Sequence, residues 1–201
     1  MNKNGFQIKD PKKIPYLQYD KTIKKTILYG AESRKINPVL YAFKRLRNYL
    51  LLFLSMTAPF NNWRVRFNKW KGVNIGRHVY IGMFVFFDNA YPEYIYIEDK
   101  ATVNAGSMII THLNPSAHFE SILTASVNPV TIKEGAFVAV KSIILPGVTI
   151  GEFSIVTAGS VVSKNVEPYN IIRGNPAVKV ADFSARLKNG MRKNNPEKEN
   201  I

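Results

Sequence analysis

In this 201-residue chain, the side chains best suited to acid–base chemistry are those of its three histidines, since imidazole has an unperturbed pKa of about 6.5. His112 ends the run Ile109-Ile110-Thr111-His112, His118 follows six residues later, and His78 stands earlier in the chain. The chain has no cysteine, which excludes disulfides, thiolate metal sites and a cysteine-bound acyl intermediate. An isolated histidine is most often a surface or capping residue, so a catalytic role for His112 depends on the elements that position it.

Those elements follow a repeat of six residues. The clearest stretch places large aliphatic residues at Ile132, Val138, Ile144, Ile150, Val156 and Val162. A helix face repeats at about 3.6 residues and a half-buried strand at 2 residues, so neither explains a sustained period of six. Hexapeptide periodicity is typical of a parallel β-helix, whose coils bury their apolar side chains only by stacking. We therefore expect a mainly β protein.

The same period extends back to Ile75 and predicts four coils of eighteen residues that begin at Ile75, Ile97, Ile132 and Ile150. The interval from the first coil start to the second therefore contains four residues beyond the eighteen of a coil, near 90–94. The next interval contains seventeen extra residues, roughly 114–130, and the last contains none. Insertions leave repeat folds at corners, and long ordered loops are usually functional. Glycines after Ile75, Ile81 and Ile150 are expected to adopt corner conformations that β-branched residues resist.

The N-terminal segment carries almost all of the net charge of +14. Residues 1–72 contain 16 basic and 3 acidic residues, a balance of +13, which favours an anionic partner. The apolar run 49–60 is too short to span a bilayer. We predict a helix over 38–58, begun by Pro38 and ended near Pro59, with basic residues on its solvent side. It packs on the repeat domain or a neighbouring subunit, or it lies on anionic lipid. Nucleic acid is not expected, because no reader motif accompanies the charge.

The expected organisation is a basic N-terminal extension (1–72), a β-helix domain (73–179), and a C-terminal part (180–201) with a short helix through about Leu187 and a frayed tail. Residues 1–10 lack the apolar stretch of a signal peptide. We therefore expect a cytoplasmic protein, with the inner face of the membrane as a second placement.

The run 144–177 resembles the hexapeptide-repeat acyltransferases, the family of galactoside, maltose and xenobiotic acetyltransferases. Its motifs are P-G-V-x-I-G, then A-G-S-V-V-x-K, then G-N-P-A. Among these enzymes the chain is most similar to polysaccharide and sugar O-acetyltransferases. The resemblance implies a left-handed parallel β-helix, a homotrimer, acetyl-CoA bound between neighbouring subunits, and one histidine as general base without a metal. Its Thr-His pair falls on Thr111 and His112.

The cofactor contacts that the resemblance implies fall on residues of the third and fourth coils and the G-N-P-A end. They are Phe137, Ala139, Ala158, Gly159, Ser163, Lys164 and Lys179. Where relatives read V-W-I-G, this chain has Ala-Phe-Val-Ala at 136–139. Phe137 takes the place of the tryptophan and is expected to preserve the apolar wall. The backbone N–H of Ala139 is the predicted oxyanion donor. Val178 stands where relatives have a basic residue, which puts the phosphate contact of Lys179 in doubt.

The predicted reaction is direct transfer of an acetyl group from acetyl-CoA to a sugar hydroxyl, free or lipid-linked, with His112 as base. Near the first insertion Asp88 and Asn89 are candidate sugar contacts, and His118 is a third from the long loop. For Asp88 a corner residue that accepts turn N–H bonds is an equal alternative. Three functional alternatives stay open: an amino-sugar N-acetyltransferase, a zinc enzyme of the γ-carbonic anhydrase type, and a non-catalytic scaffold.

Overall fold

The protein is described by a computed structural model that covers residues 4–16, 23–32 and 34–185. Its main body is a parallel β-helix, formed because hexads of the sequence alternate a two-residue strand with a tight turn. Three columns of strands enclose one core of stacked aliphatic side chains.

Strands that occupy equivalent positions in successive coils pair in parallel. The first column contains β2 (Asn74–Ile75), β5 (Ile95–Ile97), β10 (Val130–Ile132) and β13 (Thr149–Ile150). The second contains β3 (Tyr80–Ile81), β6 (Thr102–Val103), β11 (Phe137–Val138), β14 (Ile155–Val156) and β16 (Asn170–Gly174). The third contains β4 (Phe86–Phe87), β7 (Met108–Ile109), β12 (Ile143–Ile144) and β15 (Val161–Val162).

The strand register confirms the predicted coils. Ile75 pairs with Ile97, Ile97 with Ile132, and Ile132 with Ile150. In each two-residue strand of the columns, the second side chain is buried and the first faces outward, so one slip of register would expose the whole core. The six-residue period therefore reports the interval between buried side chains along the coil.

Corners between columns are four-residue turns whose third residue has a left-handed backbone. His78, Lys141 and Phe153 have φ values of 56°, 55° and 54°, and Gly159 has 69°. The expectation for the glycines after Ile75, Ile81 and Ile150 was wrong in its reason, because none of them has a positive φ. They permit close approach instead: a Cβ on Gly82 would collide with the backbone of Ala105 in the next coil.

Three helices precede the coils: α1 (Ile23–Glu32), α2 (Pro38–Thr57) and α3 (Asn61–Lys71). Helix α2 begins where Pro38 predicted it, and Asn37 caps it by accepting hydrogen bonds from the N–H groups of the first turn. The side chain of Arg64 fastens α3 to the first coil. This buried guanidinium donates to the carbonyl of Ile81 at 2.6 Å and to that of Ala58 at 2.7 Å.

The two insertions leave the β-helix at the same corner, between the third and first columns. The longer one contains β8 (His112–Leu113) and β9 (Ser126–Val127), and the N-terminal strand β1 (Lys12–Lys13) pairs with β9. A second apolar cluster holds these segments together. Its buried members are Ile14, Tyr91, Tyr94, Ala125 and Val127.

The C-terminal part corrects one prediction. Residues 180–182 were expected to start a helix, but they belong to β17 (Ala177–Asp182), which pairs antiparallel with β16. The G-N-P-A motif makes the turn between these strands, and the outer strand caps the open second column. Ser184 and Ala185 are helical, and the predicted helix beyond them lies outside the described residues.

Among the described helices, none is both long enough and apolar enough to cross a bilayer.

Removing a core side chain should test the stacked core. Ile144 is completely buried in β12, whereas its neighbour Ile143 is partly exposed. We expect Ile144→Ala to lower the free energy of unfolding by about 2–5 kcal/mol, because the rigid stack leaves a cavity. Ile143→Ala is the matched control and should cost less than half as much in urea unfolding. Equal losses would contradict the assignment of inward and outward positions.

Candidate active site

His112 lies in β8, directly after the third column of the second coil, at the corner where both insertions leave the β-helix. Its Nδ1 lies 2.5 Å from Oδ2 of Asp88, and its side chain is 29% exposed. Asp88 follows Phe87 in the first coil, and Phe87 pairs with Ile109. Stacking of the first two coils therefore brings together two side chains that lie far apart in the sequence.

The carboxylate of Asp88 is buried, with 2% exposure, and both of its oxygens accept hydrogen bonds. Thr111 donates to Oδ2 through its backbone N–H and its hydroxyl, at 3.0 and 2.8 Å, and the N–H of Ala90 donates to Oδ1 at 2.9 Å. Burial alone would raise the pKa of Asp88, but the bonds from His112 and Thr111 outweigh it and lower the pKa to about 2. The side chain is therefore ionised at neutral pH.

This arrangement determines which nitrogen of His112 can act as a base. An ionised carboxylate only accepts hydrogen bonds, so the shared hydrogen belongs to Nδ1 of the imidazole. The lone pair then lies on Nε2, on the opposite side of the ring from Asp88. Asp88 orients His112 and accepts N–H bonds at its corner, while its predicted sugar contact stays a prediction.

Lys71 at the end of α3 lies behind this pair. Its Nζ is buried and donates to the carbonyl of Phe87 at 3.0 Å, next to Asp88 in the chain. Burial lowers the pKa of Lys71 to about 7, and the charge of Asp88 opposes that change. Helix α3 thus places a titratable amine at the carbonyl of the residue before Asp88, within reach of the charge of Asp88.

Three of the predicted cofactor contacts lie at a different corner of the prism. Ala139, Ala158 and Gly159 belong to the turns that join the second column to the third in coils three and four. The third column separates this corner from His112. Within one chain the structure brings Asp88 to His112, but it does not bring Ala139 to them.

The N–H of Ala139, the predicted oxyanion donor, donates to the carbonyl of Val156 at 2.9 Å. Val140, the next residue of that turn, and Ala158, the equivalent residue one coil later, differ from Ala139. Within the part of the chain that the structure describes, their N–H groups donate no hydrogen bond. Phe137 precedes this corner, with its ring exposed.

The other predicted residues are exposed and scattered. Ser163 and Lys164 lie at the same corner as His112, in the fourth coil. Lys179 in β17 pairs with Asp182 at 3.1 Å, which engages the amine intended for a phosphate. His118 lies in the long insertion with its ring 4.2 Å from that of Phe119.

The described residues contain no group of three His, Cys, Asp or Glu side chains that could hold a metal ion. His78 occupies the corner between the first and second columns, away from His112. Three histidines converging on zinc are therefore not formed within these residues of one chain.

Comparison with known proteins identifies the family. No family model matches the chain. The chain is 26% identical over 136 residues to YvoF of Bacillus subtilis (strain 168), named as an acetyltransferase, covering 66% of this chain and 74% of YvoF. It is 30% identical over 142 residues to WcaF of Escherichia coli (strain K12), named as a colanic acid biosynthesis acetyltransferase, covering 60% of this chain and 75% of WcaF. The chain belongs to the hexapeptide-repeat acetyltransferase family.

Solved structures of this family share the fold. The acetyltransferase VCA0836 of Vibrio cholerae, complexed with acetyl coenzyme A, superimposes with a TM-score of 0.60 at 21% identity over 72% of this chain and 90% of that one. A maltose O-acetyltransferase of Clostridium difficile 630 has a TM-score of 0.56 at 20% identity, over 82% and 98%. A galactoside acetyltransferase in complex with coenzyme A has 0.55 at 21%, over 73% and 84%. The fold is a left-handed parallel β-helix, as the resemblance implied.

Sequence reasoning did not identify the partners of His112 in this acetyltransferase. Thr111 was noted only as part of a motif, Asp88 was predicted as either a sugar contact or a corner residue that accepts turn N–H bonds, and Lys71 was not considered. One signal was available: Asp88 and Ile110 directly follow the paired residues Phe87 and Ile109, so Asp88 must lie close to Thr111. Tyr91, whose ring is 5.6 Å from that of His112, had no such signal because it lies in an insertion.

The pKa of Asp88 predicts a pH-dependent stability. Its pKa is lowered in the folded protein, so its contribution is fully present above about pH 4 and is lost as the pH falls towards 2. The change from 3.8 to about 2 corresponds to about 2 kcal/mol. We expect Asp88→Asn to lack this component when urea unfolding is compared between pH 5 and pH 2.5.

Asp182→Asn is the matched control for this experiment. The pKa of Asp182 is also lowered, to about 2, mainly by hydrogen bonds from Ser184, but this carboxylate is exposed to water. Solvent screening should make its contribution small. Identical pH profiles for Asp88→Asn and the natural protein would contradict the proposed state of the buried pair.

Proposed function

We propose that this acetyltransferase transfers an acetyl group from acetyl-CoA to a sugar hydroxyl, with His112 as general base. The hydrogen-bonded pair of His112 and Asp88 carries the proposal, because it engages Nδ1 and directs Nε2 away from Asp88 at a partly exposed corner. The functions named for the relatives support the substrate classes. VCA0836 is complexed with acetyl coenzyme A, WcaF belongs to colanic acid biosynthesis, and another relative is a maltose O-acetyltransferase.

In the proposed reaction Nε2 of His112 accepts the hydroxyl proton as the sugar oxygen attacks the thioester carbonyl. Asp88 stabilises the imidazolium that forms, since its carboxylate accepts the Nδ1 hydrogen bond. Collapse of the tetrahedral intermediate breaks the carbon–sulfur bond, and the imidazolium returns the proton to the departing thiolate. The unpaired N–H groups of Val140 and Ala158 replace Ala139 as the proposed oxyanion donors.

The two halves of this site require a second copy of the chain. Val140, Ala158 and Gly159 lie at one corner of the prism and His112 at another, with the third column between them. A closed ring of three copies can place the first corner of each copy against the His112 corner of the next. We therefore propose a homotrimer, with acetyl-CoA in the groove between copies. Ser163 and Lys164 lie at the His112 corner, two coils further along.

Release of CoA in the presence of free, nucleotide-linked and lipid-linked sugars tests the proposed reaction. We expect His112→Ala to lower the rate by at least about 100-fold, because the hydroxyl loses its base. Ala158→Trp should be inactive too, since the bulky ring fills the exposed donor corner. Mixed assemblies purified through a different tag on each variant should recover about one third of the natural activity, because one interface in each ring joins two intact corners.

Circular dichroism and the sedimentation coefficient should be unchanged in both variants. Absence of recovery in the mixed assemblies would contradict a site shared between copies. Retained transfer by His112→Ala would contradict the base. Transfer to amino sugars in place of hydroxyl acceptors would move the proposal to N-acetylation.

A further inference from the structure

A pocket with basic side chains in its lining lies between α2 and the first insertion, on the side of the prism that carries Asp88 and His112. Its cavity volume is about 120 Å³. Three basic side chains line it, those of Arg34, Lys44 and Arg45, and Glu93 is the single acidic residue of the lining. The pocket therefore has an excess of positive charge and attracts an anion.

Both guanidinium groups of the pocket are held in place before any ligand binds. Arg34 donates to the carbonyl of Ala90 at 2.9 Å, and its Cζ lies 4.4 Å from the ring centre of Tyr91. Arg45 donates to the hydroxyls of Tyr41 and Tyr49 at 3.1 and 3.4 Å. Each guanidinium has five N–H donors, so donors remain for a ligand, and their planar forks suit phosphate oxygens.

Asn89 connects the pocket to the sugar chemistry. It directly follows Asp88 and lines the pocket, and its Oδ1 is buried with no hydrogen-bond partner within the described part of the chain. A buried acceptor without a donor is costly, and a ligand hydroxyl would supply that donor.

The pocket is also close to the proposed base. The ring centre of Tyr91 lies 4.4 Å from Cζ of Arg34 and 5.6 Å from the ring centre of His112. The guanidinium and the imidazole therefore both lie against the same tyrosine ring. A sugar carries its anomeric substituent and its distal hydroxyls on opposite sides of one ring. The anomeric substituent can therefore contact the guanidinium of Arg34 while a distal hydroxyl contacts His112.

We propose that this pocket binds the phosphate of the acceptor, which is therefore a glycosyl phosphate or pyrophosphate and not a free sugar. Arg34, Lys44 and Arg45 bind the phosphate oxygens, and Asn89 accepts a hydrogen bond from a sugar hydroxyl. The inference rests on the proposed function for its sugar, but phosphate binding can be measured without any acetyl transfer.

Calorimetric titration of the full chain without acetyl-CoA tests this pocket. We expect glucose 1-phosphate to bind at least tenfold more tightly than methyl glucoside. Lys44→Gln should weaken it by about tenfold, which corresponds to the loss of one hydrogen bond to a charged group. Lys69→Gln in α3 removes the same charge outside the pocket lining and should leave the affinity unchanged.

Equal affinity for methyl glucoside and glucose 1-phosphate, equal losses in both variants, or equal affinity for glucuronate would overturn the proposal. UDP-glucose and geranyl diphosphate then identify the source of the phosphate. Tighter binding of the first indicates a nucleotide-linked acceptor, and tighter binding of the second a lipid-linked one. Because the readout is binding, a phosphate-binding but inactive protein would refute the proposed function and leave the pocket intact.

The opposite side of α2 presents a separate feature, which we name the outer face of α2. It consists of Val39, Phe43, Leu46, Leu50 and Phe53, whose alternating spacing of four and three residues puts them on one stripe. These side chains are 60–78% exposed. The face turned to the protein is more polar and contains the buried residues Tyr41, Asn48 and Ser55. The predicted basic residues are exposed, but they flank this apolar stripe.

Charge distinguishes the partners that could cover the outer face. Residues 38–71 contain seven basic residues and no acidic residue. Five of them are exposed, and three of these, Arg47, Arg66 and Lys69, lie outside the pocket lining. Two copies meeting through this surface would oppose like charges, whereas anionic headgroups would neutralise them. Trp63 and Trp70 of α3 are also half exposed, and indole rings favour the boundary between water and lipid.

We infer from this independent observation that the outer face of α2 binds an anionic lipid bilayer, with the helix lying in the plane of the headgroups. Apolar side chains enter the acyl boundary while the flanking basic groups contact the headgroups. The inference does not depend on the acetyl-transfer reaction.

Co-sedimentation with vesicles tests the outer face. The natural protein should pellet with vesicles of phosphatidylcholine and phosphatidylglycerol mixed two to one, and at least tenfold less with phosphatidylcholine alone, because the basic groups contribute. Leu46→Glu with Leu50→Glu should lower binding by more than tenfold, since two leucines that enter the acyl boundary of the bilayer are lost. Val178→Glu changes an equally exposed apolar residue in β17 and should bind like the natural protein.

Failure of the natural protein to pellet, or equal losses in the double variant and Val178→Glu, would overturn the inference. Sedimentation equilibrium separates lipid from self-contact. Dissociation of the oligomer in the double variant would show that the outer face joins copies of the chain. An unchanged oligomer with lost vesicle binding supports the lipid surface.

Discussion

The structure depends on the register in which buried aliphatic side chains stack from coil to coil. A two-residue strand makes too few hydrogen bonds and buries too little apolar surface to be stable alone, so each coil persists only because its neighbours cover it. Ile97 pairs with Ile75 on one side and with Ile132 on the other, and all three are buried. A shift by one residue would turn this whole column outward. Extra residues can therefore enter only at corners, where the stack is not interrupted.

Both insertions leave the β-helix at one corner, and the candidate site lies at that corner. Phe87 and Ile109 must pair to fill the third column, and the residues that follow them, Asp88 on one coil and Thr111-His112 on the next, are then forced together. The second apolar cluster, built from Ile14, Tyr91 and residues of the long insertion, covers this corner. Positioning of the histidine thus follows from packing, and no active-site hydrogen bond has to organise the fold.

Electrostatics at the site extends into the N-terminal helices. The buried amine of Lys71 donates to the carbonyl of Phe87, next to Asp88, and the guanidinium of Arg34 lies against the ring of Tyr91 and lines the pocket of α2. The seven basic residues of 38–71 are accordingly divided between the pocket lining, the exposed surface and two buried positions. Helix α2 separates an inner pocket with basic side chains from an outer apolar stripe, so a single element connects the proposed acceptor chemistry with the proposed lipid surface.

The sequence alone determined the coils, their starting residues and both insertions. The reason is that each strand of a coil contributes one buried aliphatic residue, so the six-residue period can be recognised from neighbouring residues of the chain. Together with the resemblance it also indicated the family and singled out His112. Only the tertiary structure decided that Asp88 orients His112, that the N–H of Ala139 is already engaged, and that β17 replaces the first residues of the predicted C-terminal helix. Those features depend on contacts between residues far apart in sequence and on which backbone groups adjacent coils consume, and a local period carries no record of either.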